Sequence, residues 1–292
     1  MMDQSLLLRL VALVIIALVY MLFDIFNNRN VPSIFAYATL AVGVAFTISY
    51  LNLMTMAISF AIAAIILSLG YVVYKAGQIG AADIIEFAAL SMILPVQIPG
   101  LLLNTYQYNI PFIVSIFVAT GMSALVITPL YYIPRAKRLF KKPLSSMVNR
   151  KDIYKGLLYA AGYLAFALFI MYLNGFDVVS FSLIVILMLG SLFTVVYEMP
   201  ITDSMVRFVT LKDFEEGDII AFNLMKKDEI ARVKKQVRGF DRLITGRVLA
   251  EMRRKRFTKR LPVYKNAVPL ALPIFIGVVL SLLLGNLVFL II

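Results

Sequence analysis

The residues of this chain best suited to chemistry are carboxylates. There is no His and no Cys among the 292 residues, which removes Cys and His nucleophiles, Ser-His-Asp triads and Cys/His zinc sites. Acid–base work would fall to Asp and Glu first, with Lys or Tyr behind them. Five acids lie in or beside long apolar stretches: Asp24, Asp83, Glu86, Asp177 and Glu198. An ionisable group in such a place costs a few kcal/mol and marks function by default. Asp177, in Asn174-Gly175-Phe176-Asp177, reads as a solvated turn residue. Glu198, beside Pro200, can reach water or a loop lysine. Asp24 and Asp83 are different. Asp24 follows Val19-Tyr20-Met21-Leu22-Phe23, and Asp83 follows Gly80-Ala81-Ala82. At one depth, two such carboxylates can hold a water between them. Like charges a few ångströms apart do not both ionise easily, so one keeps a proton. The ionised partner then takes a proton from the water while the other polarises a carbonyl, which is aspartyl-protease chemistry. It needs no metal or cofactor, and none is expected. Position alone favours a plainer alternative, two unrelated helix-end acids facing headgroups. The small residues Gly77, Gly80, Ala81 and Ala82 would let a substrate backbone come close to Asp83, although they also serve ordinary helix packing.

The elements that must position these acids follow from composition. Apolar residues make up 62% of the chain and charged ones only 15%, against roughly 25% in an ordinary soluble domain. A soluble protein of this size cannot cover so much apolar surface, so the expected fold is an all-α polytopic membrane protein. Spans of about 20 apolar residues are expected near 5–23, 34–50, 53–74, 84–103, 111–133, 156–173, 178–197 and 267–292, eight in all. Met1 to Phe23 lacks a basic start and an A-x-A cleavage site, and reads as a retained first span rather than a signal peptide. Eight Lys/Arg lie between Pro134 and Lys155 and seventeen between Ile201 and Asn266. With eight spans, loops one, three, five and seven hold 27 of the 28 basic residues. The positive-inside rule puts those loops in the cytoplasm and both termini outside. Topology therefore accounts for the net charge of +12 without nucleic acid, and the lipid bilayer is the expected partner of these basic loops.

Three parts result: a membrane domain at 1–200, with spans one to seven and a basic loop at 134–155; a small cytoplasmic α+β insertion at 201–266; and a last span at 267–292. Within the insertion, Thr210 to Ile220 reads as strand, turn and strand with Gly217-Asp218 at the turn. Lys226 to Lys259 reads as two amphipathic helices broken near Gly239. So short a segment is marginal for a core of its own, and it is expected to pack on the membrane face.

This topology brings Asp24 and Asp83, 59 residues apart, to the cytoplasmic edge of the bilayer. Helix ends suggest a division of labour. The dipole at the N-terminus of span four favours a negative charge on Asp83, and that at the C-terminus of span one disfavours one on Asp24. Glu86 lies one turn beyond Asp83 on the same face. It could tune the acid pair or contact a substrate; packing or facing water is the milder alternative. A proton- or ion-coupled transporter would use the same carboxylates. Against it, no acid lies near a span midpoint and no matching pair of broken helices is evident.

At these residues the chain resembles the archaeal type IV prepilin and preflagellin peptidases, membrane aspartyl proteases of the GxGD class. The first motif stands as Asp24-Ile-Phe-Asn-Asn-Arg29-Asn-Val31-Pro32 and the second as Gly80-Ala81-Ala82-Asp83. Leu94-Pro95, the stretch Leu211 to Ile219, and Leu261-Pro262 through Pro269, Pro273, Gly277 and Gly285-Asn286 are also similar. The residue before the second Asp is Ala82 where the pattern has Gly, and Ile85 stands where a Lys is frequent. The span pair at 156–197 is an addition. The resemblance implies that Asp24 and Asp83 are catalytic, with Gly80 and Arg29 beside them. It implies cleavage of a prepilin- or archaellin-like precursor at the inner membrane face. The bacterial relatives carry a Cys-rich loop and also methylate the new N-terminus; this chain has no Cys and so lacks that loop, and cleavage alone is expected. The acids Asp213, Glu215, Glu216 and Asp218 either form a solvated turn or receive the basic leader.

Overall fold

A backbone in lipid has no water to satisfy its N–H and C=O groups, so apolar runs close their hydrogen bonds internally as helices. The computed structural model describes residues 4–27, 31–75, 79–96, 98, 100–102, 110–140, 143–264 and 270–286. It is 76% helical. The helices are α1 (Gln4–Phe26), α2 (Ser33–Ile48), α3 (Leu53–Lys75), α4 (Ala81–Ile93), α5 (Phe112–Phe140), α6 (Arg150–Asn174), α7 (Val178–Val196), α8 (Glu198–Met205), α9 (Lys227–Gln236), α10 (Gly246–Arg254) and α11 (Ala271–Leu284). Two short strands, β1 (Arg207–Val209) and β2 (Leu261–Val263), pair antiparallel.

Among the described residues, five helices are long and apolar enough to cross a membrane: α1, α3, α5, α6 and α7. α2 and α11 are apolar but shorter. The span expected at 84–103 departs most from its helix. α4 has 13 residues, about 20 Å at 1.5 Å each. It stops at Ile93 because Pro95 cannot continue it and pushes Leu94 out of helical geometry. The chain then turns along the end of α11. There Leu101 and Leu102 donate their N–H groups to the carbonyls of Leu282 and Leu283, at 3.0 and 2.8 Å. Those are C-terminal helix carbonyls with no partner inside α11, so each irregular stretch satisfies the other. Gly285, at φ 77°, ends α11.

α4 is buried along most of its length. It packs between α2 and α3, and glycines set the spacing. A Cβ at Gly43 would meet the Ala89 carbonyl oxygen at 3.1 Å, and one at Gly70 would overlap the Ile84 side chain. α11 packs on α5 and α1. The core of this group includes Leu13, Ile16, Ala17 and Tyr20 of α1, Phe87, Leu90 and Ile93 of α4, and Ile274 and Val278 of α11. α6 and α7 form a hairpin that reaches the rest through α7 on α5. α5 contains Pro129, which frees the Leu125 carbonyl four residues back. That oxygen lies against Gly190 of α7, where a Cβ would come within 2.9 Å.

Residues 206–264 differ from expectation in two ways. Thr210 to Ile220 is not a hairpin. Leu211–Asp213 forms a single 3-10 turn, and Ile219 and Ile220 bridge instead to Leu243 and Val263. Gly217, at φ 93°, still makes the bend. The segment also has its own buried cluster, including Ile220, Val233, Val237, Ile244, Met252, Leu261 and Val263. The amphipathic faces of α9 and α10 supply much of it, with Gly239 (φ 78°) between the two helices.

Candidate functional site

Asp83 lies in the first turn of α4. Gly80 precedes the helix in extended geometry, and its N–H donates to Asp83 Oδ2 at 3.2 Å. The acid thus satisfies one of the donors that a helix start leaves unpaired. Glycine here leaves room for the Asp83 carboxyl. A Cβ on it would lie 2.9 Å from that same Oδ2.

Asp24 lies in the last turn of α1 and is 8% exposed. Its Oδ2 accepts the N–H of Ala271, the first residue of α11, at 3.2 Å. This alters the division of labour expected from the sequence. That reading set Asp24 only against the C-terminus of its own helix. The N-terminus of α11 also points at it, and favours a negative charge. Both acids therefore sit on helix N-termini, one on its own helix and one on a helix 247 residues away, and helix ends no longer distinguish them. The α11 contact was missed from the sequence. Pro273, two residues into the helix, was the available sign of a helix start whose N–H groups would need an acceptor.

Asp24 lies within electrostatic reach of Asp83, and both lie within reach of Glu86. Asp83 is half-buried at the mouth of this group. Beneath lies a second layer, one helical turn further into the bundle. Tyr20 is four residues before Asp24 on α1, and Glu86 is three after Asp83 on α4. Tyr20 and Glu86 are both fully buried. The Tyr20 hydroxyl bonds Thr39 Oγ1 at 2.9 Å, and Thr39 donates to the Ala36 carbonyl at 2.7 Å. The rings of Tyr20 and Phe23 each lie 5.1 Å from Phe35, which ties the end of α1 to the start of α2. Among the described residues, Glu86 has no hydrogen-bond partner on either oxygen.

Deeper still α1 is apolar, and α4 carries one polar side chain, Ser91, which donates to the Ala88 carbonyl at 2.8 Å. Leu13, Ile16 and Ala17 of α1 and Ala88 to Leu90 of α4 are buried there. Polar contacts resume at the far end, around Arg9, which is 3% exposed. Its guanidinium donates to the Ile93 carbonyl (3.0 Å), the Phe46 carbonyl (2.9 Å) and Ser49 Oγ (2.6 Å). It stacks on Tyr50, 3.5 Å from the ring centroid. Arg9 therefore caps the C-termini of α2 and α4, where a cation is favoured.

The remaining candidates divide. Gly80 is in the site. Arg29 and Gly77 lie outside the described residues. Asp177 caps α7, accepting from the Ser180 N–H (2.7 Å) and hydroxyl (2.6 Å); these bonds hold its carboxyl below the usual range. Three of the four clustered acids hold turns. Asp213 bonds Thr210 (2.7 Å), Asp218 the N–H of Glu215 (2.9 Å), and Glu216 the N–H of Gly246 at the start of α10 (2.9 Å). Among the described residues, no group of three or more acids is arranged to hold a metal ion. Comparison with models of protein families, with curated proteins and with solved structures finds no match.

Proposed function

We propose that this chain is a membrane aspartyl endopeptidase that removes the short basic leader from prepilin- or preflagellin-like precursors at the cytoplasmic face. The observation that carries this reading is that Asp24 lies within electrostatic reach of Asp83. They come from helices distant in sequence, and each is fixed through one oxygen to a backbone N–H at a helix start. Fixed carboxylates that share an electrostatic environment do not both ionise easily. A water between them is activated when the ionised acid takes its proton. The protonated acid hydrogen-bonds the scissile carbonyl, and the water oxygen adds to that carbon. The C–N bond then breaks, and the leaving amine takes a proton from the pair. One Asp is again ionised and one protonated.

In the proposed topology eight segments cross the bilayer, with α4 and the irregular stretch after it sharing one crossing. The odd-numbered loops and the unit at 201–266 are cytoplasmic, both termini are outside, and α11 opens the final segment at 267–292. A precursor with a basic leader and an apolar helix would leave its leader in the cytosol and present the junction at the depth of the acids. The transporter reading is less well supported. A proton relay needs titratable groups continuing through the bundle, whereas the described residues bury no Asp, Glu, Lys or Arg between the Glu86 layer and Arg9, only hydroxyls such as that of Ser91. The test is cleavage of a synthetic precursor peptide by purified protein in detergent. The wild type should cleave it, and Asp24→Asn and Asp83→Asn should each lose at least about a thousandfold. Undiminished cleavage by either variant refutes the proposal.

A further inference from the structure

Glu86 is an unfilled acceptor. It is fully buried, and among the described residues neither carboxyl oxygen has a hydrogen-bond partner. Buried polar groups without partners are uncommon and costly, and such a group in a native structure calls for an explanation. The polar side chains near it do not supply one. Tyr20 and Thr39 are occupied with each other and with the Ala36 carbonyl. The titratable groups facing it are Asp83 on its own helix and Asp24 and Tyr20 on α1. α2 has no charged residue, and the one charge on α3, Lys75, lies at its last position over the Tyr71 ring.

Its depth indicates what it could receive. Glu86 is three residues beyond Asp83 along α4, about 4.5 Å further into the bundle. If the acid pair cuts a peptide entering from the membrane, the peptide must unwind at the cut. Unwinding strips N–H groups of their helical acceptors, in a place with little water to replace them. A carboxyl group accepts hydrogen bonds whether ionised or neutral. We propose, resting on the endopeptidase reading, that Glu86 accepts a backbone N–H of the unwound substrate on the membrane side of the scissile bond. It is then a substrate-binding residue, distinct from the acid pair that performs the hydrolysis.

The test uses the full chain in detergent and synthetic precursor peptides carrying one N-methyl group at successive positions after the cleavage site. N-methylation removes the donor and leaves the side chain unchanged. In the wild type, one position should cost about tenfold in kcat/KM, the effect of one hydrogen bond made in a dry site. Glu86→Leu should lose about the same amount on the unmethylated peptide, mainly through KM, and should lose no more than a further twofold on the methylated one. Glu86→Gln keeps an acceptor and should stay within about threefold of wild type. Uniform tolerance of methylation by the wild type overturns the proposal. So does an undiminished methylation penalty in Glu86→Leu, or in Glu86→Met if the Leu variant does not fold. If the wild type cleaves none of the peptides, the endopeptidase reading fails and this inference falls with it. If the wild type cleaves and Glu86→Leu matches it, only this inference fails.

Discussion

Gly80→Ala is the sharpest perturbation of the proposed site, because it adds one methyl group directly against the Asp83 carboxyl. The added Cβ would lie 2.9 Å from Asp83 Oδ2 and 3.7 Å from Cγ, where ordinary contact begins at 3.4 Å. The oxygen must retreat by about 0.5 Å, since a misplacement of about 1 Å can cost about a hundredfold in rate, and half of that suggests about tenfold. Retreat also weakens the bond from the Gly80 N–H, already 3.2 Å long. A bond to a charged group contributes about 1.5–3 kcal/mol. Only part of this reaches the transition state, so the expected fall in kcat is about 10- to 100-fold. The backbone should tolerate the change. Gly80 is exposed and sits at φ −71°, ψ 149°, which alanine adopts freely. The fold should lose no more than about 1 kcal/mol, the cost of a poorer helix cap. The assay is single-turnover cleavage of a precursor peptide at saturating enzyme, with thermal unfolding in the same detergent. Cleavage within twofold of wild type, in a variant of normal stability, would refute the claim that Asp83 must be held where Gly80 holds it.

Two further outcomes test the frame around the site. Arg9→Met should destabilise the bundle by about 2–4 kcal/mol, because two helix C-termini lose a charged donor and their carbonyls are left unpaired; unfolding in detergent that matches wild type would contradict this. Glu251 of α10 accepts from Lys255 (3.1 Å) and Arg254 (3.2 Å). Its carboxyl is held below the usual range, chiefly by Lys255. A depressed carboxyl contributes stability that is fully present above its ordinary value of about 4.3 and is lost as pH falls through the lower folded value. The stability difference between wild type and Glu251→Gln should therefore be constant near neutrality and shrink below about pH 4; a difference that persists at low pH would show that the bond is not ionic.

What the sequence revealed, and what it concealed, follows from how local each cause is. Helix positions were legible because hydropathy and proline act within a few residues. α1, α3 and α7 start and stop within a few residues of the expected spans. The end of α4 was written in Leu94-Pro95, although the apolar run beyond it suggested a longer span. Asp24 and Asp83 are expected near one another from the proposed topology, and Asp24 lies within electrostatic reach of Asp83. The anchoring of Asp24 was not legible, because its partner is a backbone N–H on the last helix and no residue type announces that contact. Arg9 broke the charge pattern, and the reason lay in carbonyls of α2 and α4 that only packing brings within reach. The strands expected at Thr210 to Ile220 failed for the same reason. Ile219 and Ile220 find their partners at Leu243 and Val263, so local alternation pointed to the wrong neighbour.

The contact between Asp24 and α11 also bears on how such a site could be assembled. α11 begins only a few residues after β2, and β2 pairs with β1 just beyond α8. The acid on the first helix is thus fixed by an element that the chain reaches only after completing the unit at 206–264. Asp83 has no such dependence, since its anchor is four residues of its own helix start. The site therefore joins a local half and a long-range half. The local half is complete once α4 is packed between α2 and α3. The long-range half requires the register of α11 against α5, where a Cβ on Gly277 would meet the Thr120 backbone N at 2.8 Å. Backbone contact of that kind cannot yield by rotating a side chain, so the height of α11, and with it the N–H offered to Asp24, is set by helix packing rather than by the acid. On this reasoning Asp24 is positioned by the bundle as a whole, and Asp83 by a single turn of chain.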